Sequence, residues 1–369
     1  MNKTNVELHG FSSVPVRESH AHLCFEKPID ETVNNFKNIL THFNYSHLNI
    51  NAVPASYSPT ENYQAIYCKS KLAPKVFASA GPEYYCDGRD TAEELLDQSK
   101  EYRKMGFDGI KLLDGKISQY RKTGYKLNDC MFDKFFEYAE ENKIPVTLHL
   151  GDPPKNWDIT KATPYTIQHG WVYTEDDPTL EELRCWVDDV LKKFPKLNLI
   201  LAHFYFMSHQ LERAAKMLDT YQNLHFCITP GGEMFVEFTK NYEQARAFFQ
   251  TYSKRILYGT DMYNTFESPE KAEAEISGPR VFQARSMLEK KDEFYSAIIS
   301  DKPLKPFGFE GEILDDIYRN NFIRLFGDTP RPLDIERISY NLKAFAKKGF
   351  ALNATEKANM KIICEYFNT

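Results

Sequence analysis

Short apolar runs alternate with amphipathic, capped helical stretches along most of this chain, and that alternation restricts it to parallel βα units. The clearest unit begins at Thr91. Thr91 and Glu94 form a capping box, Leu95, Leu96, Tyr102 and Met105 follow at helical spacing, and Gly106 supplies a left-handed stop. The strand GFDGIKLL (106–113) comes next. Helix 128–142 then leads to IPVTLHL (144–150), and a helix capped by Thr179 and Glu182 leads to LNLILAHF (197–204). Helices 208–221 and 242–252 lead to LHFCITP (224–230) and RILYGTD (255–261). Upstream, VPVRESHAH (14–22), HLNINAV (47–53) and KVFASAG (75–81) supply the first three strands. Eight strands in this order predict an α/β fold, a (β/α)8 TIM barrel over residues 14–327.

Two segments exceed the minimal barrel. Residues 151–178 form a long connection after strand five, rich in Pro, Trp, Tyr and Thr. Loops at the C-terminal ends of barrel strands shape active sites, and one this long reads as a lid. Residues 262–369 hold the eighth barrel helix, EILDDIYRNNFIRLFG (312–327), and two further helices, the last opened by an Asn353/Glu356 capping box. No stretch is poor enough in apolar residues to act as a linker, so residues 1–369 read as one domain with a helical extension at 328–369.

A formal net charge of −6, with its basic residues scattered, lacks the electrostatic footprint of a nucleic-acid binder. No apolar run is long enough to span a membrane, and the N-terminal stretch has no apolar core of a secretory signal. Seven widely spaced cysteines without a CxxC pair read as reduced thiols of a cytoplasmic chain. Self-association is left open.

His20-Ala-His22 is the strongest local feature. Histidines at i and i+2 on a strand point to one face, here at the strand's C-terminal end. Alone, such a pair is as easily a surface feature as a site. His149 at the end of strand five, His203 at the end of strand six and Asp261 at the end of strand eight change that balance. Ionisable residues at the C-terminal ends of several barrel strands converge on one mouth, where a shared divalent ion satisfies charges that would be costly alone. Imidazole and carboxylate ligands suit zinc and its borderline neighbours.

SHAHL (19–23), TLHLGDP (147–153), LILAHF (199–204) and RILYGTDM (255–262) together resemble the amidohydrolase superfamily, in its amidohydrolase-related branch of TIM-barrel metal hydrolases. GDPPKNWD (151–158), TPGGEMF (229–235) and ARAFFQTYSKRILYGTD (245–261) extend the resemblance towards a bacterial group within it. It implies that His20, His22, His149 and Asp261 hold the metal and that His203 assists the reacting water or binds a second ion. It also makes Lys111 a candidate carboxylated bridge between two ions; the plain alternative is a lysine paired with a carboxylate or in contact with substrate. The acidic residue often found just before the first histidine is Ser19 here, with Glu18 adjacent.

Asp114, Lys116 and Arg121 follow strand four, where they could meet an anionic group or form a solvated loop. Trp157, His169, Trp171 and Tyr173 lie on the lid and could wall an apolar or ring-bearing substrate. Glu233 stands beside two glycines after strand seven, where backbone can approach a ligand. The expected activity is hydrolysis of a C–N or C–O bond (amide, lactone or similar) of a small molecule. It would use one divalent ion, zinc first and manganese as the alternative, with Asp261 and His203 catalytic. Two rivals stand beside it: non-oxidative decarboxylation of an unsaturated or aromatic acid, and a metal- or ligand-binding barrel without catalysis.

Overall fold

The computed structural model describes residues 11–24, 26–54, 58–85, 90–230, 233–265, 277–296 and 300–368. Residues 1–10, which carry much of the reading about a secretory signal, and Gly231 and Gly232 lie outside them. Nine parallel strands form one sheet: β1 (Val16–His22), β2 (Tyr45–Asn51), β3 (Val76–Ala80), β4 (Gly109–Gly115), β5 (Val146–Leu150), β6 (Leu199–Leu201), β7 (Leu224–Cys227), β8 (Ile256–Leu257) and β9 (Met262–Tyr263). Each strand from β1 to β8 pairs with its sequence neighbour, and β9 pairs with β1. β8 and β9 are therefore two halves of the expected eighth strand. The first half pairs with β7 through Phe226–Ile256 and the second with β1 through Ala21–Met262, so the chain between them closes the barrel.

The helices follow from capping and amphipathic spacing. Up to residue 289 they are α1 (Ile29–His42), α2 (Glu61–Lys71), α3 (Ala92–Met105), α4 (Ile117–Thr123), α5 (Asp133–Glu141), α6 (Pro164–Gln168), α7 (Leu180–Lys193), α8 (Leu211–Thr220), α9 (Met234–Lys240), α10 (Tyr242–Thr251) and α11 (Ser277–Glu289). The expected helix at 312–326 and two further ones, Ile335–Lys347 and Ala354–Tyr366, follow. The three capping boxes read from sequence, at Thr91, Thr179 and Asn353, all form, and Gly106 ends α3 at φ 103°. Two elements after β9 were not expected: α11 itself and the antiparallel hairpin Phe294–Ser296 with Ser300–Leu304. α11 lacks a one-sided apolar stripe because it is buried nearly all round, Gln283, Arg285 and Ser286 included, which hides it from periodicity arguments. No helix of the described residues is long and apolar enough to cross a membrane. The described cysteines, Cys24, Cys68, Cys130, Cys185, Cys227 and Cys364, are free.

The break at 258–261 takes backbone groups out of the ladder, and several of them find other partners. Tyr258 N–H donates to Ile317 O (3.0 Å), within a π-helical stretch, Asp316–Asn320, of the 312–326 helix. Such a bulge turns carbonyls out of the ordinary helical register, and here it stands in for a strand neighbour. Tyr258 O accepts from Ser19 N (3.2 Å) and Ser19 Oγ (2.6 Å). Gly259 must be glycine, because a Cβ there would stand 2.5 Å from Cys227 Sγ and 2.9 Å from His20 Cβ.

One buried carboxyl ties an outer helix to the barrel. Glu61, in the first turn of α2, accepts from Val53 N (2.8 Å) just beyond β2. Burial pushes its carboxyl up to about 8 against that hydrogen bond, so the folded chain holds a proton that the unfolded chain releases above about 4.5. Stability should therefore fall as pH rises from about 4.5 through about 8. Denaturant titrations of wild type and Glu61→Gln should agree near pH 4 and diverge to a few kcal/mol in favour of Glu61→Gln at pH 9. A constant difference across that range would remove Glu61 as the cause.

Candidate metal centre

Glu18, His20 and His22 alternate onto the inner face of β1. The His22 ring is set by its Nδ1–H, which donates to Asn51 O (2.9 Å) at the end of β2 and leaves Nε2 as a lone-pair atom. That Nε2 faces His20 Nε2 at 3.1 Å, and His20 Nε2 also lies 3.0 Å from Lys111 Nζ. Asp261 Oδ1 stands 3.4 Å from His22 Nε2 and 3.8 Å from His20 Nε2. Among the described residues, His20, His22 and Asp261 are the group whose ligand atoms gather within 4.8 Å. Two imidazole nitrogens facing each other beside a carboxylate repel unless a proton or cation lies between them. Burial holds both rings below the ordinary imidazole range, so they are neutral near pH 7, the state in which imidazole ligates. This donor set fits a divalent transition metal.

His149, expected as the fourth ligand, belongs to an adjoining pair. Its Nε2–H donates to Gly151 O (3.1 Å), and its Nδ1 meets His203 Nε2 at 3.1 Å. The His203 ring lies 4.5 Å from that of His149 and 6.1 Å from that of His20, centre to centre. His203 is not on a strand, as the sequence suggested. β6 stops at Leu201, and His203 to Phe206 all adopt left-handed backbone, φ 48° to 56°. That costs roughly 1–2 kcal/mol per residue. The offset is aromatic: Phe204 is fully buried, with Phe226 and Phe238 rings at 5.0 Å and Phe249 stacked at 5.8 Å. Thr229 Oγ, accepting from His203 N at 2.5 Å, fixes the turn from β7's side.

Asp261 occupies the strand break, also left-handed at φ 57°. Burial would raise its carboxyl, but the Arg280 charge beside it opposes that, and Asp261 lies well below the usual carboxylate range. Beneath it, Glu18 accepts from His20 N (2.7 Å), Thr260 N (3.0 Å) and Thr260 Oγ (2.8 Å), tying β1 to the break; burial pushes Glu18 up to about 7. Lys111 is fully buried and brought down to about 7 by that burial. Its amine meets an imidazole, His20, at the centre itself, so it is placed to touch whatever occupies the site.

The lid is fastened by residues read from sequence as substrate contacts. Lys116 Nζ pairs with Asp152 Oδ1 (2.9 Å) and lies 4.4 Å from the centre of the Trp171 ring, while Tyr173 donates its hydroxyl to Asp152 Oδ2. Arg121 grips Asp177 through Nε (2.8 Å) and Nη2 (2.5 Å), and also donates to Gly170 O and Val172 O. Trp157 packs on Tyr173 and donates to Pro178 O (3.1 Å). His169 is exposed beside Trp171. Asp114 sits inside β4, buried against Tyr84 and Gln119, its carboxyl pushed up to about 6 by burial. Glu233, at the start of α9, keeps a buried Oε2 without a hydrogen-bond partner among the described residues. Arg280, which contacts Asp261, went unread because it lies on α11.

Imidazoles and a carboxylate gathered at the C-terminal mouth of a (β/α)8 barrel define a TIM-barrel metal-dependent enzyme. The sequence matches the family model described as Amidohydrolase over residues 81–327, about two thirds of the chain. The chain belongs to the amidohydrolase family, in its amidohydrolase-related TIM-barrel branch. The match takes in Lys111, His149, His203 and Asp261, while His20 and His22 precede it. No curated protein sequence matches. Among solved structures, 4-oxalomesaconate hydratase from Rhodopseudomonas palustris aligns at TM-score 0.51 and 13% identity, over 91% of this chain and 100% of that one. IDCase from Metarhizium anisopliae aligns at 0.51 and 14%, over 85% and 97%. A dihydroxybenzoic acid decarboxylase from Polaromonas sp. JS666, with bound manganese and 2-nitroresorcinol, aligns at 0.50 and 13%, over 85% and 96%. These likenesses speak for the fold.

Arg121→Ala should loosen the lid without disturbing the centre. Limited proteolysis should cut residues 158–176 faster, and metal content should stay at the wild-type value. Unchanged cleavage would mean that Lys116, Asp152 and Tyr173 hold the lid alone.

Proposed function

We propose that the chain hydrolyses a C–N or C–O bond, an amide, a lactone or a similar group, of a small molecule at a centre built on His20, His22 and Asp261. The observation that carries this reading is the pair of facing imidazole nitrogens with a carboxylate oxygen within 3.8 Å of both. An ion held there would bring a water's pKa toward neutrality and polarise a carbonyl. Asp261 is ionised at neutral pH, the state in which its carboxylate can take a proton from water and return it to the leaving group. His203 is neutral, pushed down to about 4 by burial, and its ring N–H can donate to a carbonyl oxygen as charge grows there. The lid, fastened through Lys116, Trp171 and Tyr173, would keep bulk water from the mouth. The ion is proposed as one zinc per chain, with manganese the alternative, and His149 as its further ligand after a turn of its ring away from His203.

Decarboxylation of an unsaturated or aromatic acid is the second reading. It is favoured by Lys111, whose amine meets His20 at the centre and could receive a carboxylate. Lys111 as a carbamate bridge would instead accompany a second ion. Elemental analysis after metal-replete expression should find one equivalent of zinc or manganese; less than about a tenth would remove the centre. Two equivalents, one of them lost in Lys111→Ala, would make Lys111 the bridge. A screen of lactones, amides and unsaturated or aromatic acids, read by product and by CO2 release, separates the two reactions. Once a substrate is found, His203→Asn should keep its metal and lose about 10²–10³ in rate. Loss of metal as complete as in His149→Ala would instead make His203 a ligand.

A further inference from the structure

We propose that Arg280 is a positioning residue that makes Asp261 a one-oxygen ligand, holding Oδ2 away so that only Oδ1 meets the centre. The inference rests on the metal-centre reading above. Arg280 Nη1 donates to Asp261 Oδ2 (2.7 Å) and to the carbonyl oxygen of the same residue. One guanidinium thus bridges the backbone and side chain of Asp261, locking the carboxylate to a left-handed main chain that a non-glycine residue does not adopt freely. Oδ1 is left facing His22 Nε2 at 3.4 Å and His20 Nε2 at 3.8 Å. Both partners are sheltered, with side chains 19% and 17% exposed, so the contact is only partly screened by water.

Arg280 is itself placed by its helix. Ser277, the first residue of α11, donates from Oγ to Tyr263 O (3.0 Å), pinning the helix start to β9. Arg280 then lies one turn inside α11, opposite the strand break. Both contacts come from one nitrogen, Nη1, whose two N–H bonds are fixed in the guanidinium plane; a lysine keeps the charge, but its ammonium rotates freely on a flexible stem and does not fix the carboxylate. The same positive charge opposes a cation bound to Oδ1, so Arg280 gives up affinity for the ion in return for a fixed carboxylate.

This trade separates positioning from simple support. Arg280→Gln should still bind cobalt(II), used as a visible probe, about tenfold more tightly than wild type, because a like charge is removed. The visible bands of bound cobalt should weaken and shift, because a freed carboxylate can add its second oxygen and raise the coordination number. Arg280→Lys should keep near wild-type affinity and show the same spectral shift. If Arg280→Gln loses the metal, or if both variants give the wild-type spectrum, the proposal fails. Circular dichroism checks the fold, and Arg280→Lys carries the test should Arg280→Gln not fold. Wild type that binds no cobalt at all would instead overturn the metal-centre reading itself.

Discussion

Closure of the barrel through a broken strand governs the rest of this structure. Eight residues, 256–263, must reach from β7 to β1, and a regular strand would pair both edges along its length. Instead, two residues pair on each side, and the four between turn out of the ladder. Tyr258 N–H and C=O, Thr260 N–H and Asp261 C=O are met by the π-helical carbonyl of Ile317, by Ser19, by Glu18 and by Arg280. Buried backbone left without these partners would cost about 1–3 kcal/mol per group. Asp261 is thereby presented on a rigid, left-handed corner and not on a mobile loop, which is what a centre of defined geometry requires.

A second corner of the same kind lies across the mouth. The turn at 203–206 is also left-handed, and it too is held by burial elsewhere, in the aromatic cluster around Phe204. Strain at both corners is local, whereas the compensating contacts are spread through the wall of the barrel. The mouth also balances its charges in neighbouring pairs, Arg280 with Asp261 and Lys116 with Asp152, while Glu18 and Lys111 are each moved to about 7 by burial. Imidazoles surrounded in this way stay neutral, so their lone pairs remain available to a cation.

Much of this architecture is legible in the chain. The capping boxes at Thr91, Thr179 and Asn353 and the stop at Gly106 depend on residues within one turn of each other, so local chemistry decides them. Period-two alternation places His20 and His22 on one face of β1. The strand ends of β6 and β8 were misjudged for a shared reason. LILAHF and RILYGTD look like continuous strands, but the chain leaves the ladder where the circumference of the barrel and the packing of Phe204 require it. α11 is buried on nearly all sides and so has no stripe to read.

What the sequence by itself determined is therefore the order of the βα units, the helix termini and the residue types gathered at the C-terminal ends of the strands, because each rests on contacts between near neighbours. Only the tertiary structure decided that Asp261 lies in a break held by Arg280, that His203 pairs with His149, and that Lys116 and Arg121 are engaged with the lid. Each of those contacts joins residues 19 to 56 positions apart, and which partner a charge or a lone pair finds at that range is set by closure of the barrel and not by spacing along the chain.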